Sequence, residues 1–185
     1  MEADVGRLQD LNREDLNDNG KEVWDLIAAV RRSASGPYSV VIHVPELARR
    51  VVSNEDYFRF EGTLNDADRE LVTLATAREA GARFAWAVHE GAARRNGVSP
   101  EAVEAVRTLA VLDGLSERDQ VLIAVTRSLC RTHTLDQELY GRAFAELGER
   151  TLIETVALVG HYSTIGLLLN TFDVAPPEGV PSFDR

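Results

Sequence analysis

A carboxylate and an imidazole occur on consecutive predicted helices, at Glu70 and His89. Gly81 separates the two segments, and a glycine at that point predicts a turn between antiparallel helices. At a rise of about 1.5 Å per residue, Glu70 and His89 lie roughly 16 and 12 Å from this turn, so the two side chains can meet across the hairpin. A carboxylate that orients an imidazole forms a usable proton-transfer pair. The same two residues are equally typical of a buried structural ion pair, and the sequence leaves both interpretations open.

Small side chains accompany His89 on one face of its predicted helix. At helical spacing this face contains Ala82, Ala85, Ala92, Ala93 and Asn96. Small residues leave room beside the imidazole. The room could admit a substrate, or it could let another helix approach closely.

Four more residues are candidates for binding a substrate. Arg83 could bind a carboxylate through two parallel N–H groups, or pair with a neighbouring acid or solvent. Trp86 could form a pocket wall, although an aromatic residue on a helix is more often part of a core or an interface. His161 and Tyr162 lie in an apolar stretch, where they either reach the same cavity or form hydrogen bonds within the core.

Thiol, metal and phosphate chemistry have little support in the sequence. The one cysteine, Cys130, excludes a disulfide or a C-x-x-C pair within the chain, follows a helical apolar pattern and indicates a reducing cytoplasm. The four histidines show no ligand-like spacing, so no metal and no cofactor is predicted. Glycine-rich phosphate loops, the G-x-S-x-G elbow and the H-E-x-x-H helix are missing from the sequence.

The composition excludes two classes of partner. Twenty basic against thirty acidic residues give a net charge of -10 and a pI near 4.9, so nucleic acids and anionic membrane surfaces would be repelled. The most apolar stretch, residues 151–172, contains charged and polar side chains that would be costly in lipid. We interpret that stretch as a buried core helix.

The chain of 185 residues is long enough for one domain. Helix caps and helix-ending glycines recur along it, which predicts an all-α fold. We predict a mobile acidic N-terminal segment over 1–20, a helical domain over 21–174 and a Pro-rich C-terminal tail over 175–185. Gly148 is predicted to separate the last two helices. The predicted first residues or caps of the helices are Lys21, Pro45, Asn54, Asn65, Arg83, Ser99, Ser116 and Thr134.

Several stretches together resemble the carboxymuconolactone decarboxylase family, which includes the alkylhydroperoxidase D-like proteins. The resemblance covers the chain from about Trp24 to Val174. It is carried by an H-V-P-E-L-A element at 43–48, an L-x-x-x-x-R-E-L-V-x-L-A run at 64–75, F-A-W-A-V-H-E-x-A-A-R-R-N-G-V-S-x-E-x-V at 84–103, S-E-R-D-x-x-L-I-A at 116–124 and L-G-E-R-x-L-I-E-x-x-A-L-V-G-H-Y at 147–162.

The resemblance implies an all-α, alkylhydroperoxidase D-like fold and a homo-oligomer, commonly a trimer or a hexamer, with the active site among the helices. In the peroxidase branch of the family, Glu70 and His89 match the proton-relay glutamate and histidine. The two redox cysteines of that branch are replaced here by Ala82 and Ala85. Peroxide reduction by that route needs both thiols, so the resemblance does not extend to a thiol peroxidase.

The decarboxylase branch remains compatible with these residues. There, a carboxylate leaves an activated lactone and the resulting enolate is protonated, which suits His89 as proton donor, Glu70 as its orienting group and Arg83 as a carboxylate-binding group. We therefore expect a cofactor-independent carbon–carbon lyase or proton-transfer enzyme acting on a small carboxylated or lactone substrate. The alternatives are a non-catalytic oligomeric or ligand-binding protein, and acid–base chemistry on a specialised metabolite.

Overall fold

The computed structural model describes residues 6–31, 35–180 and 182–183. All regular secondary structure in these residues is helical, which confirms the prediction of an all-α fold. A short 3-10 turn at Arg13–Asp15 precedes the first α-helix. The α-helices are α1 (Asp18–Arg31), α2 (Pro37–Val41), α3 (Pro45–Phe60), α4 (Asp66–Glu79), α5 (Arg83–Arg95), α6 (Pro100–Thr108), α7 (Glu117–Thr132) and α8 (Gln137–Thr171).

Helix α4 lies at the centre of the fold and packs against α5, α6, α7 and α8. Neighbours on several sides bury its apolar residues, among them Val72 and Leu74, and also the carboxylates of Asp68 and Glu70. A buried carboxylate is costly unless it is paired or hydrogen-bonded. Asp68 accepts two hydrogen bonds from the guanidinium of Arg118, at 2.7 and 2.9 Å. The position of α4 therefore requires a partner for Glu70 as well.

Three of the predicted caps form as expected. Asn65, Ser99 and Ser116 each precede a helix, and each side chain accepts a hydrogen bond from a backbone N–H three residues later. Such caps satisfy donors that have no partner within the helix. The caps fix where α4, α6 and α7 begin.

Two predicted helix starts were wrong. Asn54 does not begin a separate helix, because no residue between Pro45 and Asn54 breaks the first one and α3 continues to Phe60. Its side-chain amide instead lies 3.0 Å from Nδ1 of His161. Thr134 does not cap the next helix, since α8 begins at Gln137 and Asp136, directly before it, accepts a hydrogen bond from the backbone N–H of Leu139.

The N-terminal segment predicted to be mobile contacts the helical domain where the structure describes it. The backbone N–H of Arg7 donates to the carbonyl of Phe172, and Leu16 is buried. Helix α1 begins at Asp18, three residues before the predicted start, and its predicted end at Ser33 lies outside the described residues. The domain limits themselves stay a prediction.

Helix α8 contains the apolar stretch predicted to be a core helix. Gly148 has φ 74° and interrupts the helix, as predicted, because the left-handed region favours glycine. By length and composition α8 could span a membrane, but 56% of its most apolar 18-residue window is buried inside the protein. Glu154 and His161, both in this helix, are buried with hydrogen-bond partners on other helices and loops. These contacts are those of a core helix.

The C-terminal tail returns to the surface of its own chain. Phe183 is buried, and its ring meets the ring of Trp86 edge to face at 5.4 Å. The guanidinium of Arg78 lies over the Phe183 ring, 4.5 Å from its centroid. The tail thereby covers Trp86 of α5.

Candidate functional site

The α4–α5 hairpin brings Glu70 and His89 together, as the sequence predicts. Oε2 of Glu70 lies 2.7 Å from Nδ1 of His89, and the two side chains are only 6% and 12% exposed. Burial alone would raise the pKa of Glu70, but the hydrogen bond with His89 and the charge of Arg69 lower it below its ordinary value. Glu70 is therefore a carboxylate that accepts a hydrogen bond from Nδ1–H. In the neutral ring, this leaves Nε2 as the basic nitrogen.

Nε2 of His89 lies next to Tyr162 of α8. The hydroxyl oxygen of Tyr162 is 3.4 Å from Nε2, and the two rings meet edge to face at 5.2 Å. Burial, together with the charges of Glu55 and Glu70, raises the pKa of Tyr162 well above its ordinary value. Tyr162 thus stays protonated, and its hydroxyl can donate a hydrogen bond to Nε2. Glu70, His89 and Tyr162 form a continuous proton pathway from α4 through α5 to α8.

This pathway ends at a cavity of about 280 Å³. His89 and Tyr162 form part of its wall, whereas Glu70 lies behind His89 and does not. The volume is near the lower limit of ligand pockets, about 300 Å³, so a ligand must be small. The apolar wall residues are Val30, Pro37, Phe84, Ala85, Val88, Ile165 and Leu169.

A second polar group of the cavity centres on Glu55 of α3. Its Oε2 accepts a short hydrogen bond from the hydroxyl of Tyr38, and its Oε1 accepts one from Nε of Arg59 at 2.9 Å. Nη2 of Arg31 lies 3.6 Å from the same Oε1. Burial alone would raise the pKa of Glu55, but Arg31, Tyr38 and Arg59 lower it below its ordinary value. Glu55 is therefore ionised and joins two arginines of the cavity wall.

In the described residues, only one of the three guanidinium nitrogens of Arg31 has a hydrogen-bond acceptor. Its Nη2 donates to Asp56 at 2.8 Å, and its charge lies 5.0 Å from the centroid of the Tyr38 ring. Among the described residues, no hydrogen-bond acceptor contacts its buried Nε and Nη1. The side chain is 9% exposed.

The structure brings together only some of the residues predicted for the site. Ala85 and Tyr162, two of the residues predicted to bind a substrate, line the cavity with His89. Ala82 is buried at the N-terminal end of α5 and is not part of the cavity wall. Trp86 is fully buried, and its indole N–H donates to Glu90 at 2.9 Å. Trp86 belongs to the core.

Two other predicted residues also lie outside the cavity wall. Arg83 lines a separate hollow together with Gly81 and Asn170. His161 lies behind Tyr162, with its ring centroid 5.3 Å from the tyrosine ring. Burial lowers the pKa of His161, so its ring is neutral. Its place in the structure is that of a support for Tyr162.

Sequence reasoning missed five polar residues of the cavity wall: Arg31, Ser35, Tyr38, Glu55 and Arg59. The only local signal was the spacing of Glu55 and Arg59, four residues apart on one helix, which is common on solvated helix surfaces. Their shared location depends on α1, α2 and α3 converging near α5 and α8, which local patterns do not reveal.

Cys130 lies on α7 and is not part of the cavity wall. Burial and the nearby carboxylate of Glu79 raise the pKa of its thiol above the ordinary value. A protonated thiol is a poor nucleophile. In the part of the chain that the structure describes, the His, Cys, Asp and Glu side chains form no group of three that could hold a metal ion.

Comparison with known proteins identifies relatives of the sequence and of the fold. Residues 45–128 match the carboxymuconolactone decarboxylase family. No curated protein matches the sequence.

Three solved structures illustrate the similarity of fold. The alkylhydroperoxidase AhpD core of a peroxidase-related protein from Ralstonia eutropha JMP134 has a TM-score of 0.79 and 13% identity, covering 95% of this chain and 94% of that one. A peroxidase-related protein from Silicibacter sp. TM1040 has a TM-score of 0.73 and 15% identity, over 99% and 97% of the two chains. A cysteine-to-alanine variant of the debrominase Bmp8 in complex with 2,3,4-tribromopyrrole has a TM-score of 0.73 and 17% identity, over 96% and 94%.

Proposed function

We propose that this chain is a cofactor-independent proton-transfer enzyme, and most specifically a carbon–carbon lyase for a small carboxylated or lactone substrate. The premise is that the chain belongs to the carboxymuconolactone decarboxylase family and lacks a C-x-x-C pair. The observation that carries the proposal is the Glu70–His89 pair with Nε2 and the Tyr162 hydroxyl at the wall of a small cavity. A purely structural ion pair does not need a cavity beside its imidazole.

The chemistry assigned to these residues is a decarboxylation followed by protonation. The bond between the substrate carbon and its carboxylate breaks, carbon dioxide leaves, and the electron pair is delocalised into the lactone carbonyl as an enolate. Protonated His89 then delivers its Nε2 proton to a carbon of that enolate and becomes neutral. Glu70 stabilises the imidazolium and holds Nδ1–H in place, as the carboxylate of a catalytic triad does for its histidine.

Tyr162 supplies the next hydroxyl on this pathway. It lies within reach of Nε2 and of the cavity, so its hydroxyl can hold the histidine ring in place by a hydrogen bond or orient the substrate. The apolar walls limit water around the enolate, which strengthens the electrostatic contribution of the imidazolium.

Thiol-dependent peroxide reduction has no support from the site. The cavity contains no cysteine, and Cys130 is on α7 with a raised thiol pKa. The Bmp8 variant bound to tribromopyrrole indicates that a protein of this fold can hold a small ring compound when one of its cysteines is an alanine. That observation is compatible with a ligand in the cavity of this chain.

The direct test is the ultraviolet absorbance change of 4-carboxymuconolactone with purified protein. We expect wild-type protein to consume the lactone and His89→Ala to be slower by about 10²–10⁴-fold, since general acid–base groups typically contribute that much. His43→Ala is the matched control, because His43 is exposed and does not line the cavity. Wild-type turnover that persists in His89→Ala would rule out the proposed role of His89.

The proposal also covers the oligomeric state, the compartment and the partners of the protein. We expect a homo-oligomer in a reducing cytoplasm with a small molecule as its substrate, and with no metal, cofactor, nucleic acid or membrane. The single cysteine and the acidic composition support this expectation.

A further inference from the structure

We propose that Arg59, with Arg31 beside it, forms a carboxylate-binding subsite in the cavity that contains His89, so that the ligand is a small organic carboxylate with an apolar body. This inference rests on the proposed function only in so far as it names the substrate class of the same cavity. The binding of a carboxylate can be measured without any turnover.

Arg59 has unused hydrogen-bond donors at the cavity. Its Nε donates to Oε1 of Glu55, and in the described parts of the chain no acceptor binds its Nη1 or Nη2. The side chain is 35% exposed and forms part of the cavity wall. The two terminal nitrogens of a guanidinium present parallel N–H donors that match the two oxygens of a carboxylate. Glu55 binds Nε of this guanidinium and so fixes the direction in which Nη1 and Nη2 point.

The acids around the two arginines are already engaged. Glu55 accepts the Tyr38 hydroxyl on one oxygen, and its other oxygen is shared by Arg59 and Arg31. Asp56 accepts its hydrogen bond from Arg31. Among the described residues, one oxygen of the Glu55 carboxylate is thus the only acidic group that contacts Arg59. A ligand carboxylate would supply the missing acceptors.

Arg31 provides an independent observation at the same wall. Its side chain is more than nine-tenths buried, yet Nε and Nη1 have no acceptor in the described residues. Buried donors without partners are costly, and charged ones more so. Nε and Nη1 belong to different edges of the guanidinium, so a single carboxylate cannot satisfy both. One ligand oxygen near Nη1 would relieve part of that cost.

The rest of the cavity defines the body of the ligand. Val88, Ile165 and Leu169 present apolar surface, and His89 and Tyr162 present the proton-transfer groups. A ligand that satisfies this arrangement has one charged end, a compact apolar portion, and a reacting atom beside the imidazole. The volume of about 280 Å³ limits it to a ring-sized molecule.

Benzoate and benzamide are suitable probes because they share a flat ring and differ in charge. By isothermal titration calorimetry we expect saturable binding of benzoate to the wild-type protein and at least about tenfold weaker binding of benzamide. Arg59→Gln should weaken benzoate binding about 10–100-fold, the usual range for hydrogen bonds to a charged group, with little effect on benzamide. Arg59→Lys keeps the charge but not the two parallel N–H donors. Its affinity for benzoate should lie between those of the wild type and Arg59→Gln.

A matched control checks that the effect belongs to this cavity. Arg83→Gln is that control, because Arg83 lines a different hollow, and it should bind benzoate like the wild type. Thermal unfolding of each variant checks that the fold is intact.

The outcomes are distinct. Benzoate binding that depends on Arg59 and not on Arg83 supports the subsite, even if no lactone is consumed. No saturable benzoate binding, equal affinity for benzamide, or full affinity in a folded Arg59→Gln variant would overturn the subsite. Each of those three results leaves the lactone assay to decide the proposed function separately.

Discussion

Oε2 of Glu70 lies 2.7 Å from Nδ1 of His89, which ties the central helix α4 to α5 across the turn at Gly81. The contact assigns the proton of the neutral ring to Nδ1 and leaves Nε2 beside Tyr162. It joins the most buried helix of the fold to the wall of the cavity. The chemistry of the site therefore depends on the packing of the core.

Replacing Glu70 by Gln tests its positioning role. The uncharged amide cannot stabilise an imidazolium and can favour the wrong tautomer, so kcat should fall by about 10²-fold or more. The pH dependence of kcat should change as well, which a merely structural role would not produce. The measurement is kcat and kcat/KM for 4-carboxymuconolactone across pH, with Glu70→Asp as the variant that keeps the charge. An unchanged pH profile in a folded Glu70→Gln protein would argue against this role.

Replacing Tyr162 by Phe removes a hydroxyl and keeps the ring that packs between His89 and His161. The hydroxyl lies 3.4 Å from Nε2, a long contact, so its loss should leave the free energy of unfolding within about 1 kcal/mol of wild type. Turnover should fall about tenfold if the hydroxyl takes part in proton transfer. Steady-state kinetics and urea unfolding measure the two effects, and equal turnover would remove Tyr162 from the pathway.

Glu154 makes the protein sensitive to acid. Burial would raise its pKa, but hydrogen bonds from Thr63, Tyr57 and Arg150 lower it to about 2. Because the folded-state pKa is below the ordinary 4.5, this stabilisation is complete above about pH 4.5 and is lost as pH falls toward 2. Urea unfolding at a series of pH values should show the free energy of unfolding decreasing through that interval.

The variant Glu154→Gln isolates this contribution. At neutral pH it should unfold with a free energy about 1–3 kcal/mol below that of the wild type, because Thr63, Tyr57 and Arg150 lose a charged acceptor at a buried position. Its stability should also depend less on pH between 4.5 and 2 than that of the wild type. Glu61→Gln, at an exposed position, is the control. A Glu154→Gln curve parallel to the wild-type curve would contradict the assignment.

The outer face of α8 gives a prediction about assembly. Ile153, Val156 and Leu167 are 62%, 41% and 68% exposed and follow one helical stripe. Exposed apolar stripes of this kind are typical of protein interfaces. We expect light scattering to give a mass three or six times the 20.4 kDa of the chain.

Substitution within the stripe tests where the subunits meet. A charge at a desolvated contact is costly, so Ile153→Glu should reduce the mass toward that of the monomer. Val111→Glu introduces the same charge at an apolar residue that is 78% exposed elsewhere, and it should leave the mass unchanged. A monomeric wild-type protein would contradict the prediction of assembly, and an unaffected Ile153→Glu oligomer would exclude this face.

The sequence by itself determined the helical class, most helix starts and the Glu70–His89 pair. These depend on short-range physics: Asn65, Ser99 and Ser116 satisfy backbone donors within three residues, and Gly81 folds two helices back on each other. Where two nearby residues could both cap a helix, as Thr134 and Asp136 could before α8, local rules were insufficient. They were also insufficient at Asn54, which lies inside a longer helix and contacts α8 instead.

Only the tertiary structure decided which side chains share the cavity with His89. Arg83 is six residues from His89 in sequence, yet it lies at a different hollow, whereas Arg59 reaches the cavity from α3. Trp86 is part of the core because Phe183, in the C-terminal tail, packs on it. Helical spacing specifies the face on which a residue lies, but the partners of that face depend on the packing of distant helices.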